Sequence, residues 1–272
     1  MKHVVQFSTG IGSAEVLRRV VAEHGAKNVV ALTADTLVED EDNWRFAREV
    51  IKLVGCEWIT LAVGRTPMQI GRDVRVIPNN RFAVCSRILK RELLRKFIDE
   101  HYSPEDSIMY LGFDWTEPHR FEAAKKPWAP YTVACPLIDP PYLQKFDLIN
   151  EWKERGIAPP RLYAMGFNHA NCGGACVRGG QAQWELLLRK RPEVYADWEA
   201  EEQVSRDFLG KDVSIMKRMR GGVSGPITLR KFREELQSTP TLFDSDDWGS
   251  CNCMDGADDE ENMPLTSTFT PV

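Results

Sequence analysis

The sequence lacks the segments that mark membrane and exported proteins. No apolar run in its 272 residues approaches the roughly 20 residues that a membrane-spanning helix requires. The opening segment, MKHVVQFSTG, has neither the long apolar core nor the cleavage site of a signal peptide. The excess of positive charge that dedicated nucleic-acid binders need is also missing, since the net charge is −5. We therefore expect a cytoplasmic protein with no membrane partner.

Two common nucleotide-binding motifs are absent as well, although the chain contains a turn of the right kind. An apolar run over residues 2–7 leads into the turn STGIGS at residues 8–13, and apolar residues at helical spacing follow. No Gly-Lys-Ser/Thr follows a glycine at the Walker distance, and Glu15 replaces the third glycine of the dinucleotide fingerprint. A P-loop kinase or ATPase and a Rossmann dehydrogenase are both disfavoured.

The turn that is present favours binding of an anion. Backbone N–H groups and the positive end of the following helix point toward such a turn. Three residues add hydroxyl groups and two glycines allow close approach of a ligand: Ser8, Thr9, Ser13, Gly10 and Gly12. The alternative interpretation is a tight turn that only the fold requires.

Strand-like and helical segments alternate along the first half of the chain. The strand-like segments lie at residues 2–7, 28–33, 57–63, 107–113 and 131–137, and helical spacing covers 14–24, 41–54 and 86–101. Because crossovers between parallel strands are right-handed, this order predicts an α/β fold: a doubly wound, mostly parallel five-stranded sheet with helices on both faces. Ligands of such sheets bind at the carboxyl ends of the strands.

The composition changes after Pro140. Helical patterns cover 142–155 and 181–209, where Pro192 should start a new helix or kink the first one. The cationic segment 217–220 beside a glycine pair suits either phosphate binding or a solvated helix end. We predict an α/β nucleotide-binding domain over residues 1–140, a helical capping region with cysteines over 141–254, and an acidic, mobile tail over 255–272.

Four segments resemble the phosphoadenosine phosphosulfate (PAPS) reductase branch of the adenine nucleotide alpha-hydrolase, or PP-loop, superfamily. The Ser-x-Gly-x-x-Ser turn is similar to the PP-loop, and Asp35-Thr36 is similar to an Asp-Thr segment of that branch. Cys85-Ser86-Arg87 with Lys90 resembles its Cys/Arg/Lys segment before a helix. Residues 112–117 (GFDWTE) with Arg120 resemble its Gly/Asp/Glu/Arg turn, so the likeness extends over most of the chain.

This resemblance implies an adenine nucleotide as ligand, namely ATP, adenylylsulfate or PAPS. It implies that Arg87, Lys90 and Arg120 balance charge around the reacting phosphate or sulfate. The plainer interpretation is that Asp35 and Asp114 cap helices and the three cations are solvated. The residues implied to bind the nucleotide are Ser8, Thr9, Gly10, Gly12, Ser13, Asp35 and Thr36.

The chain departs from the family pattern at two places. Ile11-Gly12 stands where PP-loop ATP pyrophosphatases commonly have Lys-Asp, although reductase-type members also lack that pair. The C-terminal Glu-Cys-Gly-Leu-His motif, which carries the nucleophile of sulfonucleotide reductases, is absent from the sequence. ATP cleavage and sulfonucleotide reduction are the activities that these departures put in question.

Seven cysteines, an odd number, argue against a disulfide framework in a cytoplasmic chain. Cys172 and Cys176 flank a Gly-Gly pair, and Cys251 and Cys253 follow about 75 residues later, so the chain has the number of thiols that a four-thiolate metal site requires. The two pairs resemble the cluster-binding cysteines of iron–sulfur adenylylsulfate reductases, with different spacing. A 4Fe-4S cluster is thereby implied, with zinc as the other candidate.

The other interpretations of the thiols stay open. Cys172 and Cys176 also suit a redox pair, a catalytic thiol or unrelated burial, and His169 is a candidate substitute ligand. Cys56 and Cys135 lie among apolar residues, which predicts core thiols. Cys85, at a helix start, is a candidate to face the nucleotide.

Three functions are compatible with these observations. The first is a PAPS reductase-like enzyme that reduces a sulfonucleotide or transfers sulfur, with a thiol reductant such as thioredoxin as partner. The second is a PP-loop adenylyltransferase that directs sulfur into a nucleic acid or a small molecule. The third is a nucleotide-binding protein without catalysis. The oligomeric state stays open, a homo-oligomer included.

Overall fold

The computed structural model describes residues 1–220, 223–238 and Trp248. Five parallel strands form one sheet in the order β3-β2-β1-β4-β5. The predicted doubly wound five-stranded parallel sheet is thereby confirmed. The strands are β1 (Lys2–Gln6), β2 (Val29–Asp35), β3 (Glu57–Ala62), β4 (Ser107–Tyr110) and β5 (Thr132–Ala134).

The central strands are apolar because both of their faces are covered. Val4 and Val5 of β1, which point to opposite faces, are both fully buried, and β2 is buried along its first five residues. The chain leaves β1 toward β2 on one side, and β4 lies on the other side. The order of strands therefore reverses beside β1, and this is where such sheets leave a crevice for ligands.

Helices cover both faces of the sheet. Helices α1 (Ile11–His24), α2 (Glu41–Val54) and α6 (Lys145–Glu154) pack with Phe7 on one face, and α4 (Leu93–His101) and α5 (Pro118–Trp128) pack with Val4 on the other. Gly55 ends α2 in a left-handed conformation, as its position predicts. A π-helical segment, Ser86–Glu92, leads directly into α4. Helix α3 (Pro67–Asp73) lies in the same half of the chain.

The second half is mainly helical, as expected, and Pro192 starts a new helix. Its apolar residues share a core with α3 and the π-helical segment. The elements are α6 (Lys145–Glu154), α7 (Arg161–Ala164), α8 (Gln181–Lys190), α9 (Pro192–Leu209), β6 (Met216–Arg220), β7 (Val223–Ile227) and α10 (Leu229–Ser238). The proposed tail, 255–272, lies outside the described residues. No helix within the described ranges is long and apolar enough to cross a membrane.

The cationic segment 217–220 forms strand β6 of an antiparallel pair, so the interpretation as a helix end is wrong. Met216, at the start of this strand, is buried. Arg218 forms an ion pair with Glu235, and Arg233 lies 2.8 Å from Glu199. These two cations are therefore engaged within the second half of the chain, and the glycine pair beside the strand lies outside the described residues.

Candidate nucleotide-binding site

The turn of residues 8–13 lies at the carboxyl end of β1, and all six of its residues line one cavity. Helix α1 begins at Ile11, so its N-terminus opens onto this cavity. Within the described residues, no side chain caps this end of the helix. The first turn of a helix carries N–H groups without partners inside the helix, so the cavity has an end that attracts anions.

Internal hydrogen bonds hold the turn in an open shape. The Ser13 hydroxyl accepts a bond from the Ser8 amide at 3.1 Å and donates one to the Gly10 carbonyl at 3.0 Å. Thr9 has a left-handed backbone, with φ of 62°, and its buried hydroxyl has no hydrogen-bond partner in the described part of the chain. Such strain on a non-glycine residue is common at functional sites. These internal bonds fix the shape of the turn before a ligand binds.

Two glycines let other elements approach the turn closely. A Cβ atom on Gly112, at the end of β4, would lie 3.1 Å from the Ser13 Cα atom. A Cβ atom on Gly10 would lie 3.3 Å from the Tyr163 hydroxyl. Gly12 has more room, since its nearest contact would be the Gly112 carbonyl at 3.6 Å. Gly112 therefore brings β4 against α1, while Gly10 lies under a hydroxyl of the second half.

Glu15 does not face the cavity, although it occupies the position where a dinucleotide fold has glycine. Its carboxylate accepts hydrogen bonds from Arg18 at 2.7 Å and from Arg19 at 3.0 Å, and the residue is 1 % exposed. Burial acts to raise the pKa of Glu15, but the hydrogen bonds from both arginines outweigh it and leave the pKa below its ordinary value. The repulsion of phosphate expected at this position is therefore absent.

Three cations line the cavity beside the turn, each next to an acceptor. Lys90 lies 3.5 Å from Glu39, and the Lys145 ammonium donates to the Asn168 carbonyl at 2.6 Å. Arg120 forms an ion pair with Glu117, and its guanidinium lies 4.7 Å from the centre of the Phe113 ring. Three carboxylates, those of Glu39, Asp114 and Glu117, line the same cavity. The cavity thus combines fixed cations with acidic groups around an anion-binding helix end.

The structure brings most of the predicted residues together and leaves three elsewhere. Lys90 and Arg120 line the cavity with the turn, whereas Asp35, Thr36 and Arg87 do not. Asp35 accepts a bond from the Leu37 amide at 2.7 Å, so it stabilises a local turn. The Arg87 guanidinium lies 3.4 Å from the Glu92 carboxylate. Its Nε atom is buried and has no hydrogen-bond partner among the described residues.

A second, smaller cavity, the thiol cavity, adjoins the first, the nucleotide cavity, and is lined by three cysteines. Cys172 and Cys176 line it together with Cys85, which comes from the start of the π-helical segment. Cys85, a candidate to face the nucleotide, lines this cavity and does not line the first one. Lys90 lines both cavities, and Thr36 lines the second one.

The predicted four-thiolate site is only half described. Cys172 and Cys176 lie on one cavity, but Cys251 and Cys253 lie outside the described residues. Within residues 1–220 and 223–238, no group of three or more His, Cys, Asp or Glu side chains is placed to hold a metal ion. His169, the candidate substitute ligand, lines the nucleotide cavity and not the thiol cavity.

The loop that carries Cys172 is fixed against the sheet edge. The Cys172 amide donates to Glu39 at 2.6 Å, and Asn43 donates to the Ala170 carbonyl at 2.6 Å. Cys172, Gly173 and Gly174 all have left-handed backbones, with φ of 53°, 62° and 90°. Three such residues in sequence reverse the chain sharply, which turns Cys172 and Cys176 toward one space.

Cys56 and Cys135 are buried thiols, as predicted. The Cys135 thiol donates to the Phe113 carbonyl at 3.0 Å, and burial raises its pKa to about 11. Burial also raises the pKa of Cys56. Both thiols are therefore protonated at neutral pH and poor nucleophiles.

Several residues of the cavity belong to no motif that the sequence shows. Gln6 interrupts an apolar strand, which was a signal, but nothing local shows which group it faces. The second half contributes Lys145, Tyr163 and the segment 168–171. These residues could not be assigned because more than 130 positions of chain separate them from the turn.

Comparisons with known proteins identify no family. No protein-family model matches the chain, and no curated protein matches it. Among solved structures, NMN synthetase from Francisella tularensis is similar over 89% of this chain and 87% of that chain, with 13% sequence identity and a TM-score of 0.37. A likeness at that level carries no argument about activity.

Proposed function

We propose that this chain is an enzyme that binds an adenine nucleotide by its phosphates and carries out sulfur chemistry on it, in the manner of PAPS reductase-like proteins. The observation that carries the proposal is the shared wall between the nucleotide cavity and the thiol cavity. Lys90 lines both cavities and lies 3.5 Å from Glu39. The Glu39 carboxylate also accepts a hydrogen bond from the Cys172 amide. The side chains of Lys90 and Glu39 thus connect the thiol cavity to the anion-binding turn.

Binding of the nucleotide rests on the turn and its cations. The uncapped N-terminus of α1 accepts a phosphate, and the hydroxyls of Ser8 and Thr9 add donors. Lys90 and Arg120 then stabilise charge that develops on a leaving phosphate or sulfate, which is commonly the largest catalytic contribution in such reactions. Asp35, Thr36 and Arg87 act indirectly in this arrangement, because none of them lines the cavity.

Reduction of a sulfonucleotide balances as two thiol steps. A thiolate attacks the sulfur of adenylylsulfate or PAPS, the S–O bond to the phosphate breaks, and the adenine nucleotide leaves. A second thiolate displaces sulfite from the resulting thiosulfonate, and a disulfide remains. A dithiol reductant of the thioredoxin kind returns the disulfide to thiols. Cys172 and Cys176 lie behind Lys90 and not in the nucleotide cavity, which favours a supporting role for them.

A metal bound by Cys172, Cys176, Cys251 and Cys253 belongs to the same proposal. The buried Cys172 and Cys176 share a cavity with Cys85, so the described residues offer soft thiolate ligands. An iron–sulfur cluster held there would supply redox chemistry, whereas zinc would fix the loop. Lys90 would then separate the metal from the nucleotide.

A second candidate is ATP-dependent adenylation followed by transfer of sulfur to a nucleic acid or small molecule. The carboxylates of Asp114 and Glu117 in the cavity favour it, because they suit the magnesium ion that accompanies ATP. An oxygen of the acceptor attacks the α-phosphorus of ATP, and pyrophosphate leaves. Binding without catalysis is the third possibility.

One set of assays separates these candidates. Isothermal titration with ATP, adenylylsulfate and PAPS measures binding, and turnover is then followed with a dithiol. Release of sulfite from adenylylsulfate or PAPS supports the leading candidate. Release of pyrophosphate from ATP with an acceptor present supports the second, and binding without turnover supports a non-catalytic protein. Absence of binding by all three nucleotides overturns the proposal.

A further inference from the structure

Gln6 is a buried amide on the wall of the nucleotide cavity. It is 6 % exposed, and neither its Nε2 nor its Oε1 atom has a hydrogen-bond partner in the described part of the chain. Gln6 lines the nucleotide cavity and stands two residues before Ser8 of the phosphate turn. Burial of an unpaired amide disfavours folding. An amide kept in this position therefore suggests a ligand that satisfies both atoms.

The surroundings of Gln6 are apolar. It lies opposite Leu32 in the sheet and shares a face with Val4, because alternate residues of a strand point to the same side. The side chains that line the cavity on this face are buried and hydrophobic: Leu32, Leu94, Leu111 and Phe113. A flat heterocycle can pack against such a floor, and its edge then meets the amide.

We propose that Gln6 reads the base of the nucleotide and selects adenine. A carboxamide offers one donor beside one acceptor, and adenine presents an amino group next to a ring nitrogen, the arrangement that Gln binds in a bidentate manner. On the edge that carries N7 and the 6-substituent, guanine and hypoxanthine present two acceptors, N7 and O6, so they satisfy only the donor of the amide. This inference rests on the proposed function, since it takes the phosphates to occupy the adjacent turn.

Inosine triphosphate tests the contact directly, because it differs from ATP mainly by a carbonyl in place of the amino group. Wild-type protein should bind ATP about 10- to 100-fold more tightly than inosine triphosphate. Gln6→Leu should reduce that ratio to near one. Because the substitution removes an unpaired buried amide, it should also raise the melting temperature of the ligand-free protein. Gln203→Leu, on the partly exposed surface of α9, is the control and should leave the ratio unchanged.

Gln6→Glu separates a reading role from mere filling of space. It keeps the volume but replaces the donor by an acceptor, so ATP should lose affinity although the space is filled as before. If ATP binds and Gln6→Leu retains the full preference over inosine triphosphate, the inference about Gln6 is wrong while the nucleotide site stands. If wild-type protein binds none of ATP, adenylylsulfate and PAPS, the proposed function fails first.

Discussion

The ammonium group of Lys90 lies 3.5 Å from the carboxylate of Glu39, and the pair separates the phosphate turn from the thiols. Glu39 accepts hydrogen bonds from the Cys172 amide at 2.6 Å and from the Thr36 hydroxyl at 3.2 Å. It therefore fixes the cysteine loop while it orients Lys90. The π-helical segment that carries Lys90 is a distortion of a kind often found at functional sites. Changes at this pair should affect both cavities.

Lys90→Met should weaken nucleotide binding by about 10- to 100-fold, because a buried charged donor is lost. Arg87→Met, three residues earlier on the same segment, should have a much smaller effect, since Arg87 does not line the cavity. Titration with adenylylsulfate measures both. Equal losses of affinity in the two variants would show that Arg87 also acts on the ligand, and would contradict the special role of Lys90.

Cys172→Ser and Cys176→Ser should each remove bound metal from protein purified without oxygen. The reason is that each thiolate supplies a ligand that a hydroxyl replaces poorly. Metal analysis and the visible spectrum provide the measurement, and a brown colour indicates iron. Cys56→Ser is the control, because Cys56 is buried away from the thiol cavity. Wild-type protein free of both iron and zinc would rule out the metal site.

The free energy of unfolding should fall as the pH drops below about 6.5. The His3 ring stacks on His24 with centroids 3.7 Å apart, and both rings contact the Tyr110 hydroxyl. Burial, and then the charge on His24, lower the pKa of His3 from its ordinary 6.5. The unfolded chain therefore binds the proton more readily, so stability present above that pH is lost as the pH falls through the folded pKa.

Denaturant unfolding at pH 7.5 and pH 5.5 measures this effect. His3→Leu should flatten the dependence, whereas His119→Leu, at an exposed position, should leave it as in the wild type. A dependence that survives in His3→Leu would assign the loss of stability to other groups.

Gly174→Ala should destabilise the protein by about 2–4 kcal/mol. Its backbone is left-handed, and a Cβ atom would lie 2.8 Å from the Phe167 ring. Gly156→Ala isolates the backbone contribution, because Gly156 is also left-handed but has nothing within 4 Å. That variant should lose only about 1 kcal/mol. Equal losses of unfolding free energy in the two variants, measured by chemical denaturation, would mean that the loop shifts away from Phe167 at little cost.

The sequence predicted those parts of the fold and site that depend on neighbouring residues in the chain. The turn of residues 8–13 joins a strand to a helix within a few residues, and its hydroxyls and glycines act on the same ligand position. Val29–Asp35 reads as a strand because both of its faces are buried. Gly55 predicts the end of α2 because few other residues adopt its left-handed conformation.

The rest depends on contacts between distant segments. Cys85 meets Cys172 only because α3 and the π-helical segment share a core with the second half. Arg87 and Lys90 look alike in sequence, yet only Lys90 lines the cavity. The strand at 216–220 follows from pairing with β7 and not from its own basic residues.

The nucleotide site itself is tested most directly by titrating wild-type and Gly10→Asp protein with ATP, adenylylsulfate and PAPS. The Gly10 backbone, with φ of −93°, accepts a side chain, so the variant should fold while its carboxylate repels phosphate at the turn. Gly225→Asp, on β7 at a position where a Cβ atom would have no described atom within 4 Å, is the matched control. We predict binding of at least one nucleotide by wild type and control and none by Gly10→Asp. Unchanged affinity in a folded Gly10→Asp variant would contradict the assignment of the turn.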